Sequence, residues 1–432
     1  MKLIPIRDFE RFDFSKKPIR PKGYLMPIEW LLSFPSVWRH HAKITKVNMD
    51  QIKPPYLLFC NHNSFLDFKV TTAAIFPARA NYIVAIDGYI GREWLLRNVG
   101  CICKRKFTSD TLMVRHLRHA VDNGDIVVIY PEARYSLCGT NAVLPESVGK
   151  LAKFLKVPVV TLIMHGHHVH SPFWNTAERG NRTEATMTGL LSAQEVADLS
   201  FGEIYNRLNI MFMYDDFKWQ KENSIKISYK NRAKGLHKVL YQCPACRAEY
   251  HMDSDGDRLW CNDCGKTWVM SEYGELAAKN GETEFSHIPD WYEWERLQVR
   301  REVEEGRYSF TSRATVQSLP NAKGYIPLGE AILTHNMEGF RVSGVYNGEP
   351  YEMVKDVPSL YACHIEYNYL GKHGDCVDLN TLADTYYVYP KGCDFSVTKM
   401  ALATEELYEL HRKTNPVKTS LTLPLPMTAA QT

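Results

Sequence analysis

The chain has 432 residues, enough for two or three ordinary hydrophobic cores, and its 45% hydrophobic and 23% charged content exclude a disordered or fibrous protein. A net charge of +3 is too small to imply a polyanionic partner by itself, and eleven irregularly spaced cysteines argue against a disulfide framework, which points to a reducing, cytoplasmic setting. The opening MKLIPIRDFERFDF lacks the apolar centre of a secretory signal, and no stretch reaches the roughly 18 uninterrupted apolar residues of a membrane span.

In chain order, the first element is YLMPIEWLLSFPSVWRH, residues 24 to 40. Trp30, Leu31, Leu32, Phe34 and Trp38, followed by Arg39, His40, His41 and Lys43, suit a segment lying in a lipid headgroup layer. The same apolar residues also suit an ordinary helix packed on the core. From residue 45 to about 232, short apolar runs alternate with helical patterns. The runs are YLLFC (Tyr56 to Cys60), YIVAI (Tyr82 to Ile86), DIVVIY (Asp125 to Tyr130) and VPVVTLI (Val157 to Ile163). This alternation predicts an α/β unit with a largely parallel sheet flanked by helices.

The first run leads into CNHNSFLDF, residues 60 to 68. Ser64 is a good N-cap, and Asp67, three residues on, falls where a capping-box acid belongs. Asn61 and His62 are then turn residues. Alternatively, with His62 before the helix and Asp67 in its first turn, the carboxylate accepts from one ring nitrogen and leaves the other free as a base. Cys60 offers a further possibility: a thiol with His62 as its base, against the plainer role of a small buried strand residue.

Next, NVGCICKRKF (residues 98 to 107) places Gly100 before Lys104, Arg105 and Lys106. Six Lys or Arg stand against the single acid Asp110 between Arg97 and Arg118. Such a patch suits a phosphate or an acidic carrier, or is simply a solvated loop. VVIYPEARYS (residues 127 to 136) brings Glu132, Arg134 and Ser136 to the carboxyl end of a strand, where α/β sheets bind ligands. Arg134 there can grip a phosphate and Glu132 can hold a hydroxyl or the arginine; a surface ion pair is the plain alternative.

Cys243, Cys246, Cys261 and Cys264 form two Cys-x-x-Cys knuckles separated by 14 residues. That spacing supplies four thiolates for one tetrahedral, structural zinc. Asp253, Asp255, Asp257 and Asp263 outnumber Arg247, Arg258 and Lys266 around the knuckles, which excludes a phosphate-backbone footprint and hence a nucleic-acid partner. Strand-rich sequence follows from about 310 to 395, then the helical ATEELYELHRK. A helix-capped barrel of the pleckstrin-homology type and a generic β-rich partner domain both fit. The expected divisions are an interfacial or helical segment 1–44, an α/β domain 45–238, a zinc ribbon 239–272, a helical connector 273–308, a β-rich domain with closing helix 309–415, and a disordered tail 416–432.

The order of the motifs carries a family resemblance. Asn-His-(four residues)-Asp after a strand, a Gly-led basic segment, Pro-Glu with arginine after a strand, then VPVV: residues 25 to 215 resemble the glycerolipid acyltransferase family, of the 1-acylglycerol-3-phosphate acyltransferase type. The resemblance implies that His62 deprotonates the acceptor hydroxyl and Asp67 orients it. The hydroxyl then attacks an acyl thioester, on acyl carrier protein or coenzyme A, without a covalent enzyme intermediate. Asn61, Gly100, Lys104, Arg105, Lys106, Glu132 and Arg134 would contact substrate, and Pro158 would match the fourth motif. A lysolipid acceptor implies a peripheral position on the inner, cytoplasmic membrane face.

The chain departs from the family pattern at several points. Lys106 stands where the family's arginine is usual, Pro131-Glu132-Ala133-Arg134-Tyr135-Ser136 replaces Pro-Glu-Gly-Thr-Arg-Ser, and Thr161 replaces a second proline. These changes fall on acceptor-binding positions, so an acceptor other than a glycerophosphate stays open. So does a zinc-ribbon scaffold carrying an inactive acyltransferase fold.

Overall fold

The computed structural model describes residues 5–415, so the tail expected to be disordered lies outside the described residues. Seven strands, β1 (Lys43–Val47), β2 (Leu57–Cys60), β3 (Ala80–Ala85), β4 (Ile102–Lys104), β5 (Ile126–Ile129), β6 (Val159–His165) and β7 (Glu184–Leu191), make one sheet in the order β1-β7-β6-β2-β5-β3-β4. β6, β2, β5, β3 and β4 run parallel; β7 is antiparallel to β6, and β1 is parallel to β7. The central strands are buried on both faces, which is why their sequences are continuous apolar runs. Leu57 and Phe59 pack on one face with Leu117, Val148, Leu155 and Leu208. Leu58 and Cys60 pack on the other with Val37, Val70 and Ala74.

The helix Met26–Arg39 packs on the core by only part of its surface. It buries Met26, Ser33 and Val37, while Leu31, Leu32 and Trp38 are 73%, 65% and 68% exposed. Among the described residues no helix is long and apolar enough to cross a membrane.

The cysteine-rich region forms a four-stranded antiparallel sheet from β8 (Met252–Asp255), β9 (Arg258–Cys261), β10 (Thr267–Met270) and β11 (Leu276–Ala278), in the order β11-β10-β9-β8. A helix, Ile288–Glu304, lays Trp291 against Trp268 with ring centroids 4.9 Å apart. The C-terminal region is an antiparallel sheet of β12 (Ser309–Ser318), β13 (Ile326–Asn336), β14 (Gly339–Tyr346), β15 (Glu349–Asp356), β16 (His364–Glu366), β17 (Cys376–Asn380) and β18 (Thr385–Pro390). Its order, β15-β14-β13-β12-β18-β17-β16, leaves β15 and β16 as its two ends, and the helix Val397–Thr414 follows. One apolar core runs from Leu259 and Trp268 through Trp291 and Val299 to Val316, Leu379 and Leu402, and on to Val169 and Phe107 of the α/β unit. The three regions therefore share buried surface.

Candidate active site

β6, β2 and β5 are parallel neighbours, so the loops that follow them emerge at one edge of the sheet. Segments about 70 and 100 residues apart in sequence meet there. His62 Nδ1 lies 3.0 Å from Asp67 Oδ2, and that oxygen also accepts the backbone N–H groups of Asn63 at 2.6 Å and Ser64 at 3.0 Å. The expected Ser64 cap is not made. The helix runs Leu66–Ile75 with Phe65 at the N-cap position and no side-chain cap, and Ser64 Oγ is buried without a partner. Asp67 reaches back instead, because its carboxylate can take the free N–H groups of the turn and the imidazole together.

The other oxygen of Asp67, Oδ1, meets His167 Nδ1 at 2.6 Å. Burial pushes the Asp67 carboxyl up, but the hydrogen bonds from His167 and His62 outweigh it and bring it down to about 2. An ionised carboxylate only accepts, so both histidines carry their proton on Nδ1. Nε2 of His62 is then a free base, and the ring is partly open to solvent, with 23% of the side chain exposed. It lies between Tyr130 and Tyr135, with ring centroids 4.3 Å and 4.2 Å away.

Sequence reasoning missed His167. The signal was available: HGHHVH (residues 165–170) directly follows an apolar strand run, and Gly166 has φ of +80°. A Cβ at Gly166 would lie 2.7 Å from Trp219 Cζ3, so the sharp turn that delivers His167 to Asp67 needs glycine. Asp216 then holds the turn, accepting from the N–H groups of Gly166 at 3.1 Å and His168 at 2.8 Å.

Glu132 is buried and braces the loop. It accepts the backbone N–H of His62 at 3.2 Å and of Ala142 at 3.3 Å, while Ser136 N–H donates to His62 O at 2.8 Å. Burial pushes the Glu132 carboxyl up to about 8. Ala133 has φ of +55°, the left-handed region, at the position where the resembled pattern carries glycine. Asn61 is spent on structure: its Nδ2 donates to Met164 O at 2.9 Å and its Oδ1 accepts from Met164 N–H at 2.8 Å, tying β2 to β6. Cys60 is fully buried, its Sγ lies 3.8 Å from Thr71 Oγ1, and burial pushes its thiol well above the ordinary range. A protonated thiol inside the sheet is a poor nucleophile.

The cationic residues lie elsewhere. Arg105 is 2% exposed and donates to the backbone oxygens of Leu319, Pro320 and Ala383 and to Thr385 Oγ1. Lys106 Nζ lies 3.3 Å from Asp378 Oδ2. Arg134 is buried and donates to Glu405 Oε1, whose partner oxygen Oε2 takes Arg296 Nη1 at 2.6 Å. Lys104 is half-buried, and burial pushes its ammonium down. At Gly100, with φ of +79°, a Cβ would fall within 2.6–2.9 Å of Asn81 Nδ2, Ile19 O and Pro21 Cγ. The close approach there is by the chain's own N-terminal arm.

The four ribbon cysteines bring their sulfurs within 4.8 Å of one another, with Cys243 to Cys264 at 3.8 Å and Cys246 to Cys261 at 3.7 Å. Zn–S bonds of about 2.3 Å in a tetrahedron put sulfurs about 3.8 Å apart, so the spacing fits that ion.

A His–Asp pair with a buried carboxylate and a partly open ring, at the carboxyl edge of a largely parallel sheet, has the geometry that general-base chemistry needs. Residues 43–165, running from β1 through β6, match the family model described as Acyltransferase, which marks this stretch as an acyltransferase-type domain within a longer chain. Among solved structures, the chain is similar to the 1-acyl-sn-glycerophosphate (LPA) acyltransferase PlsC from Thermotoga maritima, at 14% identity and a TM-score of 0.36, over 44% of this chain and 77% of that one. No curated protein matches the sequence.

Proposed function

We propose that the protein is an acyltransferase that moves a fatty acyl group from an acyl thioester to a lipid hydroxyl. The observation that carries this reading is the His62–Asp67 pair, whose geometry leaves Nε2 of His62 as the free base at the strand edge. Nε2 takes the proton of the acceptor hydroxyl as its oxygen bonds to the thioester carbonyl carbon. The carbon–sulfur bond then breaks, and the imidazolium returns the proton to the departing thiolate. Asp67 holds the ring's tautomer and stabilises its charge, and His167 holds Asp67 from the other side.

The acceptor reaches the site from a membrane surface. Phe65, 67% exposed, immediately precedes the helix that carries Asp67, and Phe76, 46% exposed, closes it. Phe76 packs on Trp30 and Phe34, and Phe34 on Trp38, so the exposed Leu31, Leu32 and Trp38 of the helix Met26–Arg39 and the exposed Phe76 offer apolar surface on neighbouring elements, with Arg39 and Lys43 following in sequence. Such a surface suits peripheral attachment to the headgroup layer at the cytoplasmic face. One structural zinc on the ribbon thiolates completes the reading.

A lysophospholipid such as 1-acylglycerol-3-phosphate is the acceptor that the resemblance suggests. A second reading is favoured by the burial of Arg105 and Arg134 and the pairing of Lys106 with Asp378, which leave none of the three facing an incoming phosphate: the acceptor is a lipid hydroxyl without a terminal phosphate. Mass spectrometry of products decides, using full-length protein, acyl carrier protein or coenzyme A thioesters, and vesicles containing lysophosphatidate, neutral lysolipids or monoacylglycerol. Thioester-dependent acylation of any of these lipids supports the enzyme reading, and the identity of the lipid selects the acceptor. Failure with every donor and acceptor, from protein that binds the vesicles, favours the scaffold.

A further inference from the structure

A second set of metal-ligating side chains lies outside the ribbon. His40, His170 and Glu178 each bring one ligand atom to within 4.8 Å of the others. His40 closes the apolar helix Met26–Arg39, its N–H donating to Ser36 O at 3.0 Å. His170 ends the short turn His167–His170. Its carbonyl accepts from Arg179 N–H at 2.9 Å, which folds the loop back and delivers the neighbouring Glu178 to the two imidazoles. The rings are 4.3 Å apart between centroids, and His40 Nε2 lies 3.7 Å from Glu178 Oε2.

Burial separates this cluster from a chance surface grouping. His40 and His170 are 2% and 1% exposed, yet Nδ1 of each is buried with no protein partner. Buried polar nitrogens are ordinarily satisfied; here His40 turns Nε2 towards Glu178 at 3.7 Å, and one nitrogen of His170 joins them within 4.8 Å, so three ligand atoms converge in a largely buried place. The Glu178 side chain is 51% exposed, so one side of the cluster opens to solvent for entry and for a water ligand. Two imidazoles and a carboxylate form a nitrogen and oxygen donor set suited to zinc and to other divalent first-row transition metals.

We propose that His40, His170 and Glu178 bind a divalent transition-metal ion, zinc first among them, with water in the remaining position. The ion staples the end of the membrane-facing helix to the turn that also carries His167, three residues before His170. It thereby braces the residue that holds Asp67. The site is independent of the ribbon thiolates and of whether the protein transfers acyl groups.

The test is elemental analysis of full-length protein purified without added metal, followed by cobalt(II) replacement. Two equivalents per chain are expected in the wild type and one in Glu178→Gln, a change at an exposed side chain that leaves the fold intact by circular dichroism. On cobalt(II), the thiolate charge-transfer absorption of the ribbon persists in this variant, while the weaker visible bands of the nitrogen and oxygen site disappear. Affinity at that site falls by about 100-fold or more, because loss of even an outer-shell partner costs 10–100-fold. His170→Asn gives the same loss by a second route. A wild type holding a single equivalent that Glu178→Gln retains and Cys246→Ser removes overturns the proposal. Two equivalents in both the wild type and Glu178→Gln overturn it as well, since the second ion then lies elsewhere.

Discussion

The His62–Asp67 pair and the cations Arg105 and Arg134 are held at different ranges. His62 and Asp67 are five residues apart, and the turn between them closes on backbone N–H groups within the same stretch. Arg134 finds its carboxylate 271 residues away and Arg105 its threonine 280 residues away, both in the C-terminal region. A base and its orienter need only a strand end and a helix start. A buried guanidinium needs a partner for its charge, and here the added region supplies it. The contrast separates a pair that one short turn assembles from cations that act as struts to the C-terminal region.

The largest expected effect tests the local half. His62→Ala should lower acyl transfer by ~10²–10⁴, the usual worth of a positioned base, with thermal unfolding little changed. A variant that transfers at the wild-type rate removes His62 from the chemistry. Asp67→Asn should lose less rate and more stability, because it also drops the carboxylate that ties His62, Asn63, Ser64 and His167 together.

The long-range half answers to Glu405→Ala. This change strands Arg134 as a buried cation, while Arg296 keeps Glu293 and Glu406, and it should cost roughly 3–5 kcal/mol in denaturant titration, the range for breaking one partner of a buried ion pair. Replacing Arg134 by leucine together with Glu405 should cost much less. If both variants unfold like the wild type, Arg134 does not act as a strut and is free to meet substrate.

Glu132 sharpens the boundary between the two halves. Its carboxyl is raised from 4.5 to about 8, so between those pH values the folded chain holds a proton that the unfolded chain has released. Its contribution to stability is full below about pH 4.5 and is lost as pH rises towards 8. Glu132→Gln, which keeps a neutral amide in place, should flatten the fall of stability across that window, read by urea midpoints at a series of pH values. An unchanged slope would mean that Glu132 is ionised in the fold. The smallest effect is expected from Ala133→Gly. Relief of the left-handed strain, about 1–2 kcal/mol, is partly offset by the backbone entropy of glycine, about 0.5–1 kcal/mol, for a net gain of about 0–1.5 kcal/mol in denaturant titration.

The sequence by itself determined the parallel α/β unit, since strands buried on both faces must be continuous apolar runs, and YLLFC, DIVVIY and VPVVTLI are such runs. It also indicated the gathering of Cys243, Cys246, Cys261 and Cys264, because two knuckles leave little conformational choice, and it offered the pairing of His62 with Asp67 as one of two readings of the turn, the one the structure forms. It did not determine that Ser64 would leave its cap unmade, since Asp67 satisfies the turn N–H groups first. Only the tertiary structure decided that His167 would share Asp67, that the Lys104–Lys106 run would be drawn inward, and that Arg134 would face Glu405. Each of these depends on which distant surface covers a charge. A run of lysines and arginines reads the same in sequence whether water, a phosphate or a carboxylate on another strand stands opposite; burial and the Coulomb partner distinguish them, and both are fixed by packing across residues hundreds of positions apart.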